Sequence, residues 1–230
     1  MNRSVTYFFL SLFVISLAGA GCKKPVENNN NQDSEPKEAK QLLEKKRYDV
    51  ESGHVQYVFE GMKTGTEDLY FDDWGWKESA ISKSKISIAP TEENTLRLLD
   101  GFIQYSVDLN TNVATKIDNA ILKQIAEKNT EDSLTGLGEK MLEQAGAVKK
   151  GTKIVAGQEC DIWEVPNLGT TQCVYKGVTL EINTNFAGIN YVQRATSIEF
   201  NIAVDANKFE LPEGVEISEP VDLQKLLKNL

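Results

Sequence analysis

Residues 96–109 read LRLLDGFIQYSVDL, and this stretch decides the predicted fold. Asp100-Gly101 separates two runs, Leu96 to Leu99 and Phe102 to Leu109, and an Asp-Gly pair between such runs is a strong signal for a β-hairpin. Upstream, Val55, Tyr57 and Phe59 alternate with polar neighbours, which is the period of a half-buried strand. We therefore predict antiparallel strands joined by tight turns.

The same pattern extends to both sides of this hairpin. Turn signals at residues 61–65, 72–75, 110–112, 166–169 and 187–188 separate further strand-like runs. Helical spacing replaces the strand period near 119–146, in 37–47 and in 219–230. We predict an α+β fold with a strongly curved antiparallel sheet, open and half-barrel-like, of about nine to eleven strands in 48–218. Two or three helices would cover it.

The first 21 residues have the composition of a secretory signal peptide. Arg3 precedes an apolar run from Val5 to Leu17, which is shorter than the ~20 residues needed to span a bilayer. Ala20-Gly21-Cys22 resembles a bacterial lipobox, so Cys22 is the predicted lipidation site and would carry acyl chains such as palmitate. A rival cleavage after Ala18-Gly19-Ala20 would instead release a soluble periplasmic protein.

The residues after Cys22 are polar and contain little that could be buried. Residues 22–36 include two prolines and the run Asn28 to Asn31, so we predict a flexible tether. The formal charge is −9, and it becomes −10 once Arg3 leaves with the signal. An acidic chain without a basic cluster is a poor nucleic-acid binder, and anionic headgroups would repel it. The lipid would therefore provide the membrane attachment.

The three cysteines leave one unpaired if Cys160 and Cys173 bond to each other. A hairpin closed at Val165 and Thr170 places both on one face, one diagonal step apart, whereas a two-residue turn at Pro166-Asn167 would place them directly opposite. We predict a disulfide in an oxidising envelope, with buried free thiols as the alternative. A metal pair is disfavoured because the only histidine is His54.

The meander, the helical insertion and the closing segment Phe209-Glu210-Leu211-Pro212-Glu213-Gly214-Val215 resemble the LolA/LolB lipoprotein-carrier superfamily. That resemblance covers roughly residues 53–215. It implies an open β-barrel lidded by helices over an apolar cavity that holds acyl chains. The candidate cavity residues are the strand aromatics Tyr57, Phe59, Tyr70, Phe71, Tyr105, Trp163 and Tyr175.

No motif indicates catalysis. Ser82-Lys83-Ser84-Lys85 matches S-x-x-K and Lys63-Thr64-Gly65 matches K-T-G, but their order is reversed relative to penicillin-binding enzymes. Asp72 and Asp73 beside Trp74 and Trp76 could form a sugar platform, although a simple hairpin tip explains them as well. We expect a non-enzymatic protein without metal or cofactor.

Two functions follow as expectations. The first is a membrane-anchored envelope lipoprotein that binds an apolar ligand or an acylated client in the curved sheet. The alternative is an anchored structural or protein-interaction module with a filled core and no ligand. The residues after Cys22 are Lys23 and Lys24, and an acidic inner-membrane retention signal is absent there, so the outer membrane is favoured over the inner membrane.

Overall fold

The structure is a computed structural model that describes residues 41–87, 89–130 and 132–218. All of these belong to one compact unit. The predicted signal peptide 1–21, Cys22, the tether 22–36 and the helix 219–230 lie outside the described residues. Residues 41–43 are helical, so the described part of the predicted 37–47 helix ends before Glu44.

The described residues contain twelve strands that form one sheet. Their bounds are β1 Gly53–Gly61, β2 Lys63–Asp72, β3 Lys77–Ile86, β4 Ala89–Asp100, β5 Ile103–Asp108, β6 Val113–Asp118, β7 Val148–Val155, β8 Gln158–Val165, β9 Thr170–Tyr175, β10 Val178–Phe186, β11 Ile189–Phe200 and β12 Glu216–Ser218. Besides residues 41–43, the described part of the chain has two α-helices, α1 Ala120–Lys128 and α2 Thr135–Gln144. Both fall within the predicted insertion near 119–146.

The strand order is β12-β6-β5-β4-β3-β2-β1-β11-β10-β9-β8-β7. The sheet is open, as predicted, because β7 and β12 end the strand order without pairing to each other. The prediction of a purely antiparallel sheet is wrong at one edge, where β12 pairs parallel to β6. The chain must cross the sheet between these strands, and parallel pairs require such a crossover.

The two faces of the sheet are defined by register. The inner face carries Val55 and Tyr57 of β1 and Leu69 and Phe71 of β2. The outer face carries Tyr70, Leu96, Leu98 and Val107. The sheet curls so that inner-face residues of β1 and β2 share one apolar core with Val155, Cys160, Cys173, Val178 and Leu180 from β7 to β10.

On the outer face, a different apolar core is covered by the segment that follows β11. Leu96, Leu98, Val107 and Ala114 are buried there, and Leu211 and Val215 pack against them. The predicted closing segment 209–215 therefore covers the outer face before β12 joins the edge. This arrangement leaves the inner face of β3 to β6 without that cover.

Among the described side chains, the helices contact the sheet at two places. In α1, Leu122 and Ala126 pack with Trp76 and Phe102, while Leu142 of α2 packs near Trp163. These contacts do not establish the predicted helical cover over the concavity. Among the described residues, no helix has the length and apolarity needed to cross a membrane.

Candidate functional site

The seven aromatic candidates do not converge on one cavity. Tyr57 and Phe71 belong to the inner core, where Tyr175 packs against its edge. Trp163 lies in a second core with Val165, and Tyr105 packs on the outer face. Phe59 is 4% exposed and stacks on Tyr191 with ring centroids 6.1 Å apart. Tyr70 stacks on His54, also on the outer face.

The inner core is filled by the chain itself in its curled half. Val55, Phe71, Val178 and Leu180 are all 0% exposed. The Tyr57 hydroxyl donates to the Thr179 carbonyl oxygen at 2.8 Å, which joins β1 to β10 across the curl. Burial of these apolar side chains drives the curling, at roughly 25 cal/mol per Å².

A strap formed by residues 44–51 closes one end of this core. The backbone N–H groups of Arg47 and Tyr48 both donate to the Trp74 carbonyl oxygen, at 3.1 and 2.9 Å. Tyr48 packs edge-on against Phe71 and its hydroxyl donates to Glu78. Arg47 pairs with the same carboxylate at 3.2 Å. Burial, with the Glu78 charge, raises the pKa of Tyr48 and keeps this phenol neutral.

The Asp72–Trp76 turn is part of this end closure and does not form a ligand platform. Trp76 is 1% exposed, and its indole N–H donates to the Lys45 carbonyl oxygen at 2.5 Å. The Lys46 ammonium lies 3.6 Å from the Trp74 ring centroid. Gly75 has a φ of +87°, which suits a glycine.

The inner face of β2 to β6 differs because small and polar side chains line much of it, together with the carboxylates of Glu67, Glu93 and Asp108. Register places residues from five adjacent strands on this face, and we call them the polar floor: Gly65, Ala80, Ser82, Ser84, Thr95, Ser106 and Thr115. Thr95 is exposed, while Ser106 and Thr115 are half-buried. The floor is therefore shallow, polar and reachable from solvent on the β4 to β6 side.

A buried carboxylate borders the polar floor. Glu67 is 7% exposed and accepts hydrogen bonds from the Ser82 hydroxyl at 2.5 Å and the Gln193 amide at 3.0 Å. The Tyr191 hydroxyl donates to the side-chain amide oxygen of Gln193 at 3.2 Å. Ser84 is 6% exposed, and its hydroxyl has no hydrogen-bond partner within the described structure. A buried hydroxyl without a partner costs free energy.

Arg97 stands on the polar floor between Ala80 of β3 and Ser106 of β5. It is half-buried, and within residues 41–87, 89–130 and 132–218 its guanidinium has no hydrogen-bond or ion-pair partner. Burial raises the pKa of Tyr57 and of Tyr191, and the Arg97 charge opposes the rise in both. Register places Arg97 on the inner face of the sheet, which also carries Tyr57. An unpaired guanidinium in such a place can receive a carboxylate through two parallel hydrogen bonds.

A second polar group lies on the outer face. His54 Nε2 lies 2.7 Å from Asp68 Oδ1, and its ring stacks on Tyr70 with centroids 4.2 Å apart. A polar pocket of about 200 Å³ adjoins Asp68, beside the β-bulge that follows Gln56. In the described ranges no group of three or more His, Cys, Asp or Glu side chains is arranged for a metal ion.

The S-x-x-K match lies on a strand, and its side chains diverge. Ser82 faces inward and donates to Glu67, whereas Lys85 faces outward and pairs with Glu92 at 2.8 Å. Alternate residues of a strand point to opposite faces, so Ser82 and Lys85 cannot meet.

The disulfide prediction is confirmed. Cys160 and Cys173 are bonded, with Cα atoms 5.4 Å apart and each 1% exposed. Register pairs Val165 with Thr170 and Ile162 with Cys173, which is the diagonal arrangement expected from the four-residue turn.

Sequence reasoning missed the groups of the polar floor. Arg97, Glu67 and Ser84 match no motif, and each looks like an ordinary polar strand residue. The available signal was register: aligning the predicted hairpins would have placed Arg97, Ser106 and Ala80 on one face. That alignment also separates Tyr70 and Tyr105 from the other aromatics.

Comparison with known proteins identifies no family. No protein-family model and no curated protein matches the sequence. Similar solved structures include an uncharacterized conserved protein from Thermus thermophilus, with a TM-score of 0.48 and 6% identity, covering 81% of this chain and 99% of that chain. MucB matches with a TM-score of 0.42 and 12% sequence identity, covering 80% of this chain and 66% of that chain. LprF from Mycobacterium bovis matches with a TM-score of 0.33 and 13% sequence identity, covering 78% of this chain and 98% of that chain.

These similarities concern the course of the chain. At such scores and identities they transfer no activity, ligand or partner. Membership of the LolA/LolB-like carriers therefore stays a prediction from the sequence.

Proposed function

We propose that this chain is a non-enzymatic envelope lipoprotein, anchored at Cys22, that binds an extended polypeptide client along the polar floor. The observation that carries the proposal is the half-buried Arg97 guanidinium, which has no hydrogen-bond or ion-pair partner among the described residues and lies on the inner face of the sheet. A carboxylate of the client, from a side chain or a C-terminus, would pair with it. The outer membrane is the proposed location.

The composition of the polar floor supports a polypeptide client over an acyl chain. Thr95, Ser106 and Thr115 offer solvent-accessible hydroxyl groups, which suit the amide groups of an extended peptide. An acyl chain would gain little there, because the large buried apolar side chains already fill the curled half. The apolar-ligand hypothesis stays a competing prediction.

Site-specific photo-crosslinking in the natural host tests the proposal. We would place benzoylphenylalanine at exposed position 95 on the floor, and at exposed position 83 on the outer face as the matched control. We expect a polypeptide adduct from position 95 only. Arg97→Gln should reduce that adduct about tenfold, as expected for loss of a charge-assisted hydrogen bond, while Arg97→Lys should retain part of it.

Two results would overturn this function. One is an equal yield of adducts from positions 83 and 95, which would show that contact is not specific to the inner face. The other is an undiminished adduct in Arg97→Gln protein whose unfolding transition matches the wild type. Adducts that contain lipid and no polypeptide would favour the apolar-ligand hypothesis.

A further inference from the structure

Three large apolar side chains are exposed at neighbouring turns at one end of the sheet. Leu168, in the turn between β8 and β9, is 45% exposed. Phe186 and Ile189, which flank the turn between β10 and β11, are 52% and 42% exposed. We call these three residues the apolar tip.

The tip is one contiguous surface because the two turns are hydrogen-bonded together. The Asn185 N–H donates to the Gly169 carbonyl oxygen at 2.8 Å, directly beside Leu168. Phe186 and Ile189 face each other as a cross-strand pair. A Cβ at Gly169 would lie 2.3 Å from the Asn185 carbonyl oxygen, so the two turns approach as closely as backbone allows.

The two turn segments that form the tip contain no charged residue; charges enter from neighbouring strands, where Glu60 pairs with Val192 and Glu164 with Thr171. Neither 165–175 nor 182–193 contains an Asp, Glu, Lys, Arg or His, in a chain whose residues are 26% charged. The rim consists instead of Asn, Thr, Gly and Gln side chains. By contrast, the exposed Ile154 follows Lys153, which forms an ion pair with Glu181.

We propose that the apolar tip docks into the interfacial region of a lipid bilayer. Exposed Leu, Phe and Ile side chains gain free energy on leaving water, and an uncharged rim avoids the cost of desolvating ions at the acyl boundary. The absence of acidic residues from the two turn segments reduces, at the tip itself, the repulsion that a chain of formal charge −9 meets at anionic headgroups. The tip is thus a second, weak membrane contact beside the proposed acyl anchor.

The length of the tether permits this orientation. Leu42 and Leu43 pack with Trp76 and Phe102, which lie at the opposite end of the sheet from the tip. The chain between Cys22 and Gln41 can reach about 60 Å when extended. A ten-residue strand is only about 33 Å long. A lipid on Cys22 and the tip can therefore reach the same bilayer.

The test uses Cys22→Ser protein, so that the anchor makes no contribution. Cys160 and Cys173 are bonded to each other, so a single added cysteine can be labelled with the fluorophore NBD. Phe186→Cys carries the probe at the tip, and Ile154→Cys, at a site 74% exposed, is the matched control. Vesicles of phosphatidylethanolamine and phosphatidylglycerol are then titrated in.

We expect a blue-shifted, several-fold brighter emission from the Phe186→Cys probe and no change from the Ile154→Cys probe. Adding Leu168→Ser and Ile189→Ser should lower vesicle partitioning at least about tenfold. An unchanged spectrum at both sites would overturn the proposal. So would a blue shift that rises with protein concentration alone, which would assign the tip to self-association. Neither result bears on the polar floor, which the crosslinking tests separately.

Discussion

At the residue scale, Gly75 shows how a single Cβ decides whether the strap can close the core. Its φ is +87°, and an added Cβ would lie 2.6 Å from Cδ2 of Tyr48. The Tyr48 ring cannot retreat, because Phe71 packs against it with centroids 5.2 Å apart. The glycine is therefore required by both conformation and space.

We predict that Gly75→Ala lowers the free energy of unfolding by about 3 kcal/mol, from the left-handed backbone and from overpacking together. Gly157→Ala is the control, since Gly157 has a φ of +85° but nothing within 4 Å of an added Cβ. Gly157→Ala should lower the free energy of unfolding by about 1 kcal/mol. Urea denaturation of both variants measures the difference, and equal costs would contradict a steric role for Tyr48.

Glu181 gives a pH dependence at the same scale. Burial by itself favours the neutral acid, but hydrogen bonds from Lys153 and Arg194 outweigh it and lower the pKa of Glu181. The Arg194 Nε atom lies 2.8 Å from Oε2. A carboxylate with a lowered native pKa stabilises the fold at neutral pH, and that contribution is lost as the pH falls through the native pKa.

We predict that Glu181→Gln lowers the free energy of unfolding by about 2 kcal/mol at pH 7 and by less at an acidic pH below the native pKa of Glu181, because the wild type has lost its charge there. Glu92→Gln is the control, since the Lys85–Glu92 pair is 62% and 67% exposed and solvent screening should leave its contribution too small to resolve. Urea denaturation of the wild type and both variants at the two pH values measures these differences. If Glu181→Gln lowers the free energy of unfolding as much at the acidic pH as at pH 7, the lowered pKa of Glu181 is contradicted.

At the element scale, the β8–β9 hairpin with its disulfide was predictable from local sequence. Pro166 to Gly169 marked the turn, and strand period then placed the cysteines. Two other features were not predictable in this way. The turn at Ala156-Gly157 was missed because it needs a φ of +45° at Ala156, which alanine rarely adopts. The parallel β12 pairs with β6 across about 100 residues, and no local pattern records such a pairing.

Replacing both cysteines, Cys160→Ala with Cys173→Ala, should lower the free energy of unfolding by about 3 kcal/mol, as expected for a closed loop of this length. Urea denaturation under non-reducing conditions is the measurement. Chemical reduction of the wild type should give a similar loss. A change below about 0.5 kcal/mol would contradict a structural contribution from this bond.

At the scale of the whole molecule, Cys22 links the folded part to its proposed location. Cys22→Ser should abolish metabolic incorporation of labelled palmitate and move the protein into the soluble envelope fraction after washing. The proposed weak contact between the apolar tip and the bilayer would be lost during washing. Retained label, or membrane association that persists through washing, would contradict the anchor.

The open curved sheet followed from hairpin signals and strand period, but the function of its inner face did not. Sequence alone grouped seven aromatics as a cavity lining, whereas register assigns Tyr70 and Tyr105 to the outer face. How tightly a sheet curls depends on contacts between distant strands such as β1 and β10. For that reason a filled core and a ligand cavity look alike in the sequence.

The central claim is that the curled half is filled by the chain and that binding uses the polar floor. Displacement of a fluorescent fatty acid by the Cys22→Ser protein, combined with native mass spectrometry, tests it most directly. We predict no saturable fatty-acid binding and a mass equal to that of the bare polypeptide. A stoichiometric bound lipid, displaced by the probe, would contradict the claim.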